Sequence, residues 1–185
     1  MAGGISRYQR SREDFPLNLR PRLRVTVTTL MFVRQNSKVL LHRHPEGSRF
    51  AGYWNGIGGH LELGEDLAQA ACRELGEEAG VKVRNPRLRL VLHEVNPRAE
   101  GNLVFWFVAD WLSGGLHPEP CAVLRWVPLR EVPSLDLLSD VREVWSWLFE
   151  DGPTRYGFQV YDNDGGSELR ISDGRLTQSP IGNEG

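Results

Sequence analysis

Three glutamates near the middle of the chain are spaced so that they share one side of a helix. Glu74, Glu77 and Glu78 stand at positions i, i+3 and i+4, which neighbour one another on a helical surface. Like charges at this spacing destabilise a helix by about 0.2–0.5 kcal/mol per pair. A hard cation such as Mg²⁺ would offset the repulsion, because it prefers carboxylate oxygens and is often held together with substrate phosphates. The alternative is a solvated acidic helix end, partly neutralised by Arg73, and the three glutamates alone leave both interpretations open.

The segment that carries these glutamates has the pattern of an amphipathic helix from about Asp66 to Ala79. Its apolar residues recur at helical spacing and predict a buried stripe, formed by Ala68, Ala71, Cys72, Leu75 and Ala79. Gly80 stands where a glycine commonly ends a helix in the left-handed conformation. A glycine-rich loop that contains Gly58 and Gly59 precedes the helix, so flexible backbone is brought up to the same region.

The loop and the helix together fit one long spaced motif. From Gly59 to Val81 the sequence reads G-x5-E-x7-R-E-U-x-E-E-x-G-U, where U is an apolar residue. Every specified position is filled, by Gly59, Glu65, Arg73, Glu74, Leu75, Glu77, Glu78, Gly80 and Val81. The segment therefore resembles the signature of the Nudix hydrolase family. The strand order from about residue 23 to residue 150 fits the same resemblance.

The resemblance implies both a fold and a metal-dependent activity. The fold is an α/β/α sandwich with a mixed β-sheet, and the activity is hydrolysis of a nucleoside diphosphate linked to another group, with Mg²⁺ or Mn²⁺ as the cofactor. By resemblance, Glu74, Glu77 and Glu78 bind the metal, and the backbone carbonyl of Gly58 or Gly59 completes its shell. One of these glutamates, or a carboxylate of a later loop, is the general base, and the sequence does not select among them.

Further residues receive roles from the same resemblance. Glu65 and Arg73 are expected to form an ion pair that holds the loop against the helix and orients Glu74. Arg43 follows a short apolar strand, where family members often place a residue that meets phosphate, and its alternative is an ordinary surface arginine. Glu119 lies near the place where MutT-like members carry an additional metal-binding or base carboxylate, although its local spacing is not a clean match.

The substrate is indicated by the segment YWNGIGGHLE, which resembles the loop of oxidised purine nucleoside triphosphatases. In those proteins the asparagine reads the base, so Asn55 is a candidate for hydrogen bonding to a purine. Its alternative role is that of a turn residue. Trp126, Tyr53 and Trp54 are candidates for stacking on a base, and burial in the core is the alternative. Pro97 stands at about the spacing that marks the ADP-ribose pyrophosphatases of the family.

The expected activity is therefore hydrolysis of a nucleoside triphosphate, normal or oxidised as in 8-oxo-dGTP, to the monophosphate and pyrophosphate. The alternative within the family is a pyrophosphatase for ADP-ribose or another nucleoside diphosphate derivative. A rival from another class is a non-catalytic Nudix module that senses a nucleotide. Such modules usually lose glutamates of the motif, and this chain retains them.

Composition narrows the classes of protein that remain. The 22 basic and 24 acidic residues of the 185-residue chain argue against a generally basic nucleic-acid binder and against a highly charged disordered chain. The apolar stretch LVFWFVADWL is far shorter than the roughly 20 residues that span a bilayer. The polar start MAGGISRYQRSRED is unlike a signal peptide, and two cysteines make no disulfide framework. We expect a cytoplasmic monomer or homodimer that acts on a small nucleotide and binds neither membrane nor nucleic acid stably.

The chain divides into three regions by composition. Residues 1–22 are expected to be a flexible basic arm, 23–150 the Nudix domain, and 151–185 an extension with a β-hairpin over 156–171 and a disordered tail. Within the domain, polar turn residues at 35–37 predict a hairpin, and a second helix is expected to start at Ser139 as its N-cap. Further strands are predicted at Leu88–Val95, Asn102–Trp111 and Leu124–Val127.

Overall fold

A mixed β-sheet with one helix on each face organises the chain. The structure is a computed structural model, and it describes residues 24–96, 101–116, 123–161 and 167–173. The strands are β1 (Val25–Gln35), β2 (Lys38–Arg43), β3 (Trp54–Asn55), β4 (Lys82–Val95), β5 (Gly101–Ser113), β6 (Val123–Pro128), β7 (Arg155–Tyr161) and β8 (Ser167–Ser172). The helices are α1 (Leu67–Ala79) and α2 (Ser139–Leu148), and a short 3₁₀ turn spans Val132–Ser134. The predicted arm and tail, together with Glu119 and Pro97, lie outside the described residues.

Seven of the eight strands run in the order β3-β2-β1-β5-β4-β7-β8. The eighth, β6, pairs with β2 off this path. β1 and β5 are parallel, β4 and β5 are antiparallel, and β4 and β7 are parallel. The sheet is therefore mixed, as the family resemblance predicts. Among the described residues, no helix is long and apolar enough to cross a membrane.

The central strand β1 is buried on both sides because a helix covers each face of the sheet. Leu30 and Phe32 belong to the apolar cluster that contains α2, whereas Met31 and Val33 belong to the cluster that contains α1. We call these two sides the α2 face and the α1 face. The alternation places successive β1 side chains in separate cores, which fixes the register of the strand.

Helix α1 begins and ends as the sequence predicts. Asp66 is its N-cap: one carboxylate oxygen accepts from the backbone N–H of Ala68 at 2.9 Å and of Gln69 at 2.8 Å. In return, the Asp66 N–H donates to Oε1 of Gln69 at 2.9 Å, which completes a capping box. Gly80 ends the helix with φ 67° and donates to the carbonyl of Gly76 at 3.0 Å.

Helix α2 starts differently from the prediction. Ser139 is its first residue, Leu138 takes the N-cap position, and no side chain caps the helix, so the prediction of Ser139 as N-cap was wrong. The reason is tertiary: the Ser139 hydroxyl lies 3.3 Å from the hydroxyl of Ser167 and 3.5 Å from Nε2 of Gln159, which is fully buried. Side chains of the C-terminal strands thus meet the start of α2.

The other end of α2 is held by a buried arginine from β4. Arg89 donates from Nε to the carbonyl of Leu148 at 3.1 Å and from Nη2 to that of Trp147 at 3.4 Å. A third bond goes from Nη1 to the Gly152 carbonyl. These donors satisfy carbonyls that a helix C-terminus leaves without an intrahelical partner. The contact fixes α2 against the sheet from its C-terminal end.

The C-terminal hairpin extends the main sheet. β7 pairs in parallel with β4 from Leu90 to Val95, and β8 pairs antiparallel with β7 from Ser167 to Ser172. This hairpin occupies the positions that the sequence pattern predicted for it. Leu169 and Ile171 of β8 pack against the apolar cluster of the α2 face.

Candidate active site

The glycine-rich loop is anchored along β1 by backbone hydrogen bonds. The N–H of Thr29 donates to the Gly59 carbonyl at 2.8 Å, and Met31 and Ile57 exchange two bonds of 2.7 and 3.0 Å. Farther along, the N–H of Leu61 donates to the carbonyl of Val27 at 3.0 Å. The loop thus runs antiparallel to the central strand, in the place that β2 leaves open when it turns away.

Two glycines of this loop are required by close approach. A Cβ atom at Gly58 would overlap the backbone carbonyl oxygen of Thr29. A Cβ atom at Gly59 would overlap the carboxylate of Glu74 on α1. The loop therefore contacts the sheet through one glycine and a motif glutamate through the next.

Arg73 joins the loop to the helix. Its guanidinium forms a two-pronged ion pair with Glu65, from Nε to Oε2 at 3.0 Å and from Nη2 to Oε1 at 2.8 Å. Nη2 also donates to the backbone carbonyl of His60 at 3.0 Å. The bonds from Arg73, followed by the N–H of Glu62 at 2.7 Å, hold the pKa of Glu65 below its usual range. Hydrogen bonds to Glu65, and after it to Glu74 and Glu77, raise the pKa of Arg73.

The motif glutamates surround the same guanidinium. Nη1 of Arg73 donates to Oε1 of Glu74 at 3.0 Å and to Oε2 of Glu77 at 3.1 Å. The Glu74 side chain is 16% exposed and that of Glu77 is 62% exposed, while Glu78 is half-buried. One arginine therefore orients Glu65 and two of the three expected metal ligands.

The donor set at this place suits a hard divalent cation. All the side-chain donors are carboxylate oxygens, and the closely packed Gly59 brings backbone up to Glu74. Across the described ranges, however, no three His, Cys, Asp or Glu side chains are already gathered tightly enough to hold a metal ion. In this arrangement Arg73 donates hydrogen bonds to Glu74 and to the more exposed Glu77. The residue types fit a metal ion. In this structure Glu74 and Glu77 are arranged around the guanidinium of Arg73.

A cavity of about 870 Å³ opens on the other side of the loop. It lies on the α2 face, and its lining includes Asn55, Gly58, Gly59, Trp106, Asp140 and Tyr161. Gly59 thus borders the cavity and also contacts the Glu74 carboxylate. The volume falls in the range of roughly 300–1,000 Å³ that is typical of small-molecule sites. The loop is a thin wall between the glutamates of α1 and this cavity.

Two carboxyl groups line the cavity: Asp140, which is buried, and Glu94, which is partly buried. Asp140 is 6% exposed, and one of its oxygens accepts from the N–H of Val141 at 2.8 Å. Burial, and after it the charge of Glu94, raises the pKa of Asp140 to about 7. Burial also raises the pKa of Glu94, against the opposing effect of hydrogen bonds from Asn102 at 3.3 Å and Tyr161 at 3.4 Å. This end of the cavity can present both a hydrogen-bond acceptor and a protonated carboxyl.

Other polar groups of the cavity are suited to a ligand. The indole Nε1 of Trp106 is buried and has no hydrogen-bond partner in the part of the chain that the structure describes. Because indole nitrogen can only donate, it is available to a ligand acceptor or to water. Asn55 lines the cavity while its Oδ1 accepts from the N–H of Gly56 at 2.7 Å. Its turn role is present, and the residue also lines the cavity.

Two other sequence candidates lie away from the cavity. Arg43 is exposed and donates from Nε to the Gly52 carbonyl at 3.0 Å, so it braces the loop between β2 and β3. Trp126 is on β6 and packs against the α1-face cluster, and it is not among the residues that line the cavity. Of the other aromatic candidates, Trp54 is buried in the α2-face cluster and Tyr53 is 45% exposed.

Sequence reasoning missed the buried polar end of the cavity. Asp140, Glu94, Trp106 and Tyr161 come from four different elements that only the folded sheet brings together. One signal was available: Glu94 interrupts the apolar run of β4, LVLHEV, at a position where a core residue is expected. Asp140 gave a weaker signal, because an acidic residue in the first turn of a helix is ordinary.

Comparison with known proteins identifies the family. The NUDIX domain profile matches residues 22–148, so the chain belongs to the Nudix family. It is 32% identical over 115 residues to the NAD-capped RNA hydrolase NudC of Photobacterium profundum, covering 60% of this chain and 41% of that protein. It is 40% identical over 82 residues to the oxidized purine nucleoside triphosphate hydrolase of Danio rerio, covering 44% and 45%. The chain thus spans less than half the length of these curated relatives.

A solved structure shares the fold. The MutT protein of Bacillus halodurans superposes with a TM-score of 0.69 at 24% sequence identity, covering 80% of this chain and 98% of that one. This likeness supports the mixed sheet and the two helix layers. It says nothing of the substrate, because the identity is too low.

Proposed function

We propose that this Nudix family member is a divalent-metal-dependent nucleotide pyrophosphohydrolase that converts a nucleoside triphosphate, normal or oxidised as in 8-oxo-dGTP, to the monophosphate and pyrophosphate. One observation carries the proposal. A single cavity borders Gly59, which contacts Glu74, and also reaches the buried polar groups around Asp140. A ligand with an anionic end and a neutral, hydrogen-bonding end fits such a cavity, and a nucleotide has both.

The metal would be held by the acidic face of α1. Glu74, Glu77 and Glu78 are the carboxylate ligands in this proposal, with the carbonyl of Gly58 or Gly59 as the backbone ligand. Mg²⁺, or Mn²⁺ in its place, neutralises charge on diphosphate oxygens and makes a water molecule easier to deprotonate when it is bound. A glutamate of this face would act as the general base that takes a proton from the attacking water. Glu119 stays a candidate additional ligand and lies outside the described residues.

Arg73 is the residue that prepares this face. It keeps Glu65 ionised and holds Glu74 and Glu77 within one hydrogen-bonded group. Its bond to the His60 carbonyl fixes the loop that forms the cavity wall. Arg73 orients carboxylates through two-pronged contacts that depend on its planar guanidinium. In this proposal it does not contact the reacting phosphorus.

The nucleoside would occupy the α2-face end. A base offers both hydrogen-bond donors and acceptors, and Trp106 and Asp140 supply the opposite types, with the amide of Asn55 nearer the loop. A phosphate would be unfavourable beside the Glu94 carboxylate, because like charges repel. The phosphates are therefore placed at the Gly58–Gly59 wall, which leads to α1. Arg43 and Trp126, which lie elsewhere, have no part in this arrangement.

A nucleotide panel tests the proposal against its rivals. Turnover would be measured with Mg²⁺ or Mn²⁺ on 8-oxo-dGTP, canonical triphosphates, ADP-ribose, dinucleoside polyphosphates and NAD-capped RNA. We expect the highest kcat/KM for a nucleoside triphosphate, with release of pyrophosphate. Preference for ADP-ribose or a capped RNA would contradict the triphosphate assignment. A protein that binds one of these compounds and hydrolyses none would be a sensing module.

A further inference from the structure

The cavity extends beyond the part of the chain that matches the family. The NUDIX match ends at residue 148, yet Tyr161 at the end of β7 lines the cavity. It reaches this position because β7 runs parallel to β4, with Glu94 opposite Gln159 and Val95 opposite Val160. The C-terminal hairpin therefore forms part of the wall around the nucleoside end.

Tyr161 holds the carboxylate of Glu94 in place. Its hydroxyl donates to Oε1 of Glu94 at 3.4 Å, while Nδ2 of Asn102 donates to Oε2 at 3.3 Å. Within the described residues, neither Lys nor Arg forms a salt bridge or a hydrogen bond with Glu94, although the charge of the nearby Arg49 opposes the rise in its pKa. A carboxylate has about four lone-pair sites, so two neutral donors fix its orientation and leave acceptor capacity towards the cavity.

The hairpin is also connected to the loop between β2 and β3. The guanidinium carbon of the exposed Arg49 lies 5.1 Å from the ring centre of Phe50 and 5.4 Å from that of Tyr161. A cation at this distance is attracted by both aromatic rings. Arg49 and Phe50 line the same cavity. The Tyr161 ring thus contacts Arg49 at the cavity lining, while its hydroxyl donates to Glu94.

We infer that Glu94 accepts a hydrogen bond from a neutral N–H or O–H donor of the nucleoside, and that Tyr161 is the positioning residue that fixes Glu94 for this contact. The inference rests on the proposed function, in which the nucleoside lies at this end. A carboxylate flanked by neutral donors selects for a ligand donor and against a ligand phosphate. The donor is either an exocyclic amine of the base or a ribose hydroxyl.

Tyr161→Phe and Tyr161→Leu test the inference, with Tyr156→Phe and Tyr156→Leu as matched controls. Tyr156 lies on the same strand, is 55% exposed and is not among the residues that line the cavity. We expect Tyr161→Phe to raise KM by about three- to tenfold with kcat nearly unchanged, and Tyr161→Leu to raise it further. The Tyr156 variants should keep the KM of the parent. Equal KM values in the parent and both Tyr161 variants would overturn the inference, as would KM changes that track a loss of folded protein in thermal unfolding.

The source of the donor is resolved by comparing substrates. dGTP against dITP isolates the exocyclic amine, and GTP against dGTP isolates the 2′-hydroxyl. The ratio that collapses in Tyr161→Phe identifies the group that Glu94 meets. Calorimetric binding of the same nucleotides separates this inference from the proposed function. A parent that hydrolyses none of them refutes the function, whereas tighter or equal binding by Tyr161→Phe refutes the role of Tyr161.

Discussion

The two faces of the sheet treat acidic side chains in opposite ways. On the α1 face, Glu65, Glu74 and Glu77 surround the guanidinium of Arg73, which keeps the pKa of Glu65 low. On the α2 face, Asp140 is buried with no Lys or Arg bonded to it among the described residues, and its pKa rises to about 7. The α1 face therefore pairs its carboxylates with a cation, which suits the proposed metal and phosphate site. The other keeps a carboxyl that can hold a proton and hydrogen-bond a neutral group.

The difference has opposite consequences for stability. Folding lowers the pKa of Glu65, so this residue stabilises the fold at pH values above its unfolded-state pKa. The contribution is lost as the pH falls through the lower, folded-state pKa. Asp140, whose pKa is raised from 3.8 to about 7, binds its proton more tightly in the folded state than in the unfolded one. The fold therefore loses stability at Asp140 as the pH rises through this interval. The same type of side chain is a source of acid sensitivity on one face and of alkaline sensitivity on the other.

The largest predicted effect is on the α1 face, where charge is essential to the proposed chemistry. We expect Glu78→Gln to lower kcat by about a hundredfold or more at saturating Mg²⁺, because it removes a metal ligand or the general base. The fold should persist, since one charge is removed from a repulsive cluster. Glu143→Gln, on the exposed side of α2, is the matched control. Activity equal to that of the parent would contradict the metal assignment.

Replacement of Arg73 should have the second-largest effect on kcat. Arg73→Lys keeps a positive charge but loses the fork that binds Glu65 and reaches the His60 carbonyl. We expect about a tenfold or larger loss of kcat and a lower melting temperature, because a lysine cannot reproduce these contacts. Arg34→Lys, at a partly exposed pair with Asp110, should change neither quantity appreciably. If Arg73→Lys retains full activity, positive charge alone suffices.

The two loop glycines separate catalysis from folding. At Gly59 a methyl group meets the end of the Glu74 side chain, whereas at Gly58 it meets the Thr29 backbone. We therefore expect Gly59→Ala to lower kcat severalfold with little change in the melting temperature. Gly58→Ala should lower the melting temperature, because the backbone of the central strand has to move. Steady-state kinetics and thermal unfolding of both variants check this, and a reversed pattern would contradict the proposed contact between loop and helix.

The smallest predicted effect is a change in the pH dependence of stability on the α2 face. The parent should lose on the order of 1–3 kcal/mol of unfolding free energy through Asp140 between about pH 5 and about pH 8. Asp140→Asn removes the titration, so this part of the loss should disappear in urea unfolding at the two pH values. An equal pH dependence in the variant and the parent would show that Asp140 is already ionised without cost.

Local patterns in the sequence predicted the α1 face well. The ends of α1 and the Gly80 terminus follow from residues that lie close along the chain, whereas the Glu65–Arg73 contact is one that the family resemblance implies. Capping and helical spacing are short-range effects, so one sequence suffices for them.

The α2 face could not be read in the same way. Its carboxyl groups meet through the pairing of β4 with β7 and the docking of α2, contacts between residues far apart in sequence. The same long-range packing explains the error at Ser139, whose hydroxyl meets Ser167. It also explains why Trp126, a stacking candidate from the sequence, packs on the opposite face while Trp106 lines the cavity. Burial, which gives Asp140 its raised pKa, is a property of the assembled sheet.

One measurement tests the central claim most directly: anomalous diffraction from crystals of this protein soaked in Mn²⁺. The account predicts a manganese peak bound by carboxylate oxygens of Glu74, Glu77 and Glu78, next to the Gly58–Gly59 wall. Glu77 should have rotated away from Arg73 to reach it. Crystals without manganese at these glutamates, with Glu74 and Glu77 still bound to Arg73, would contradict the account.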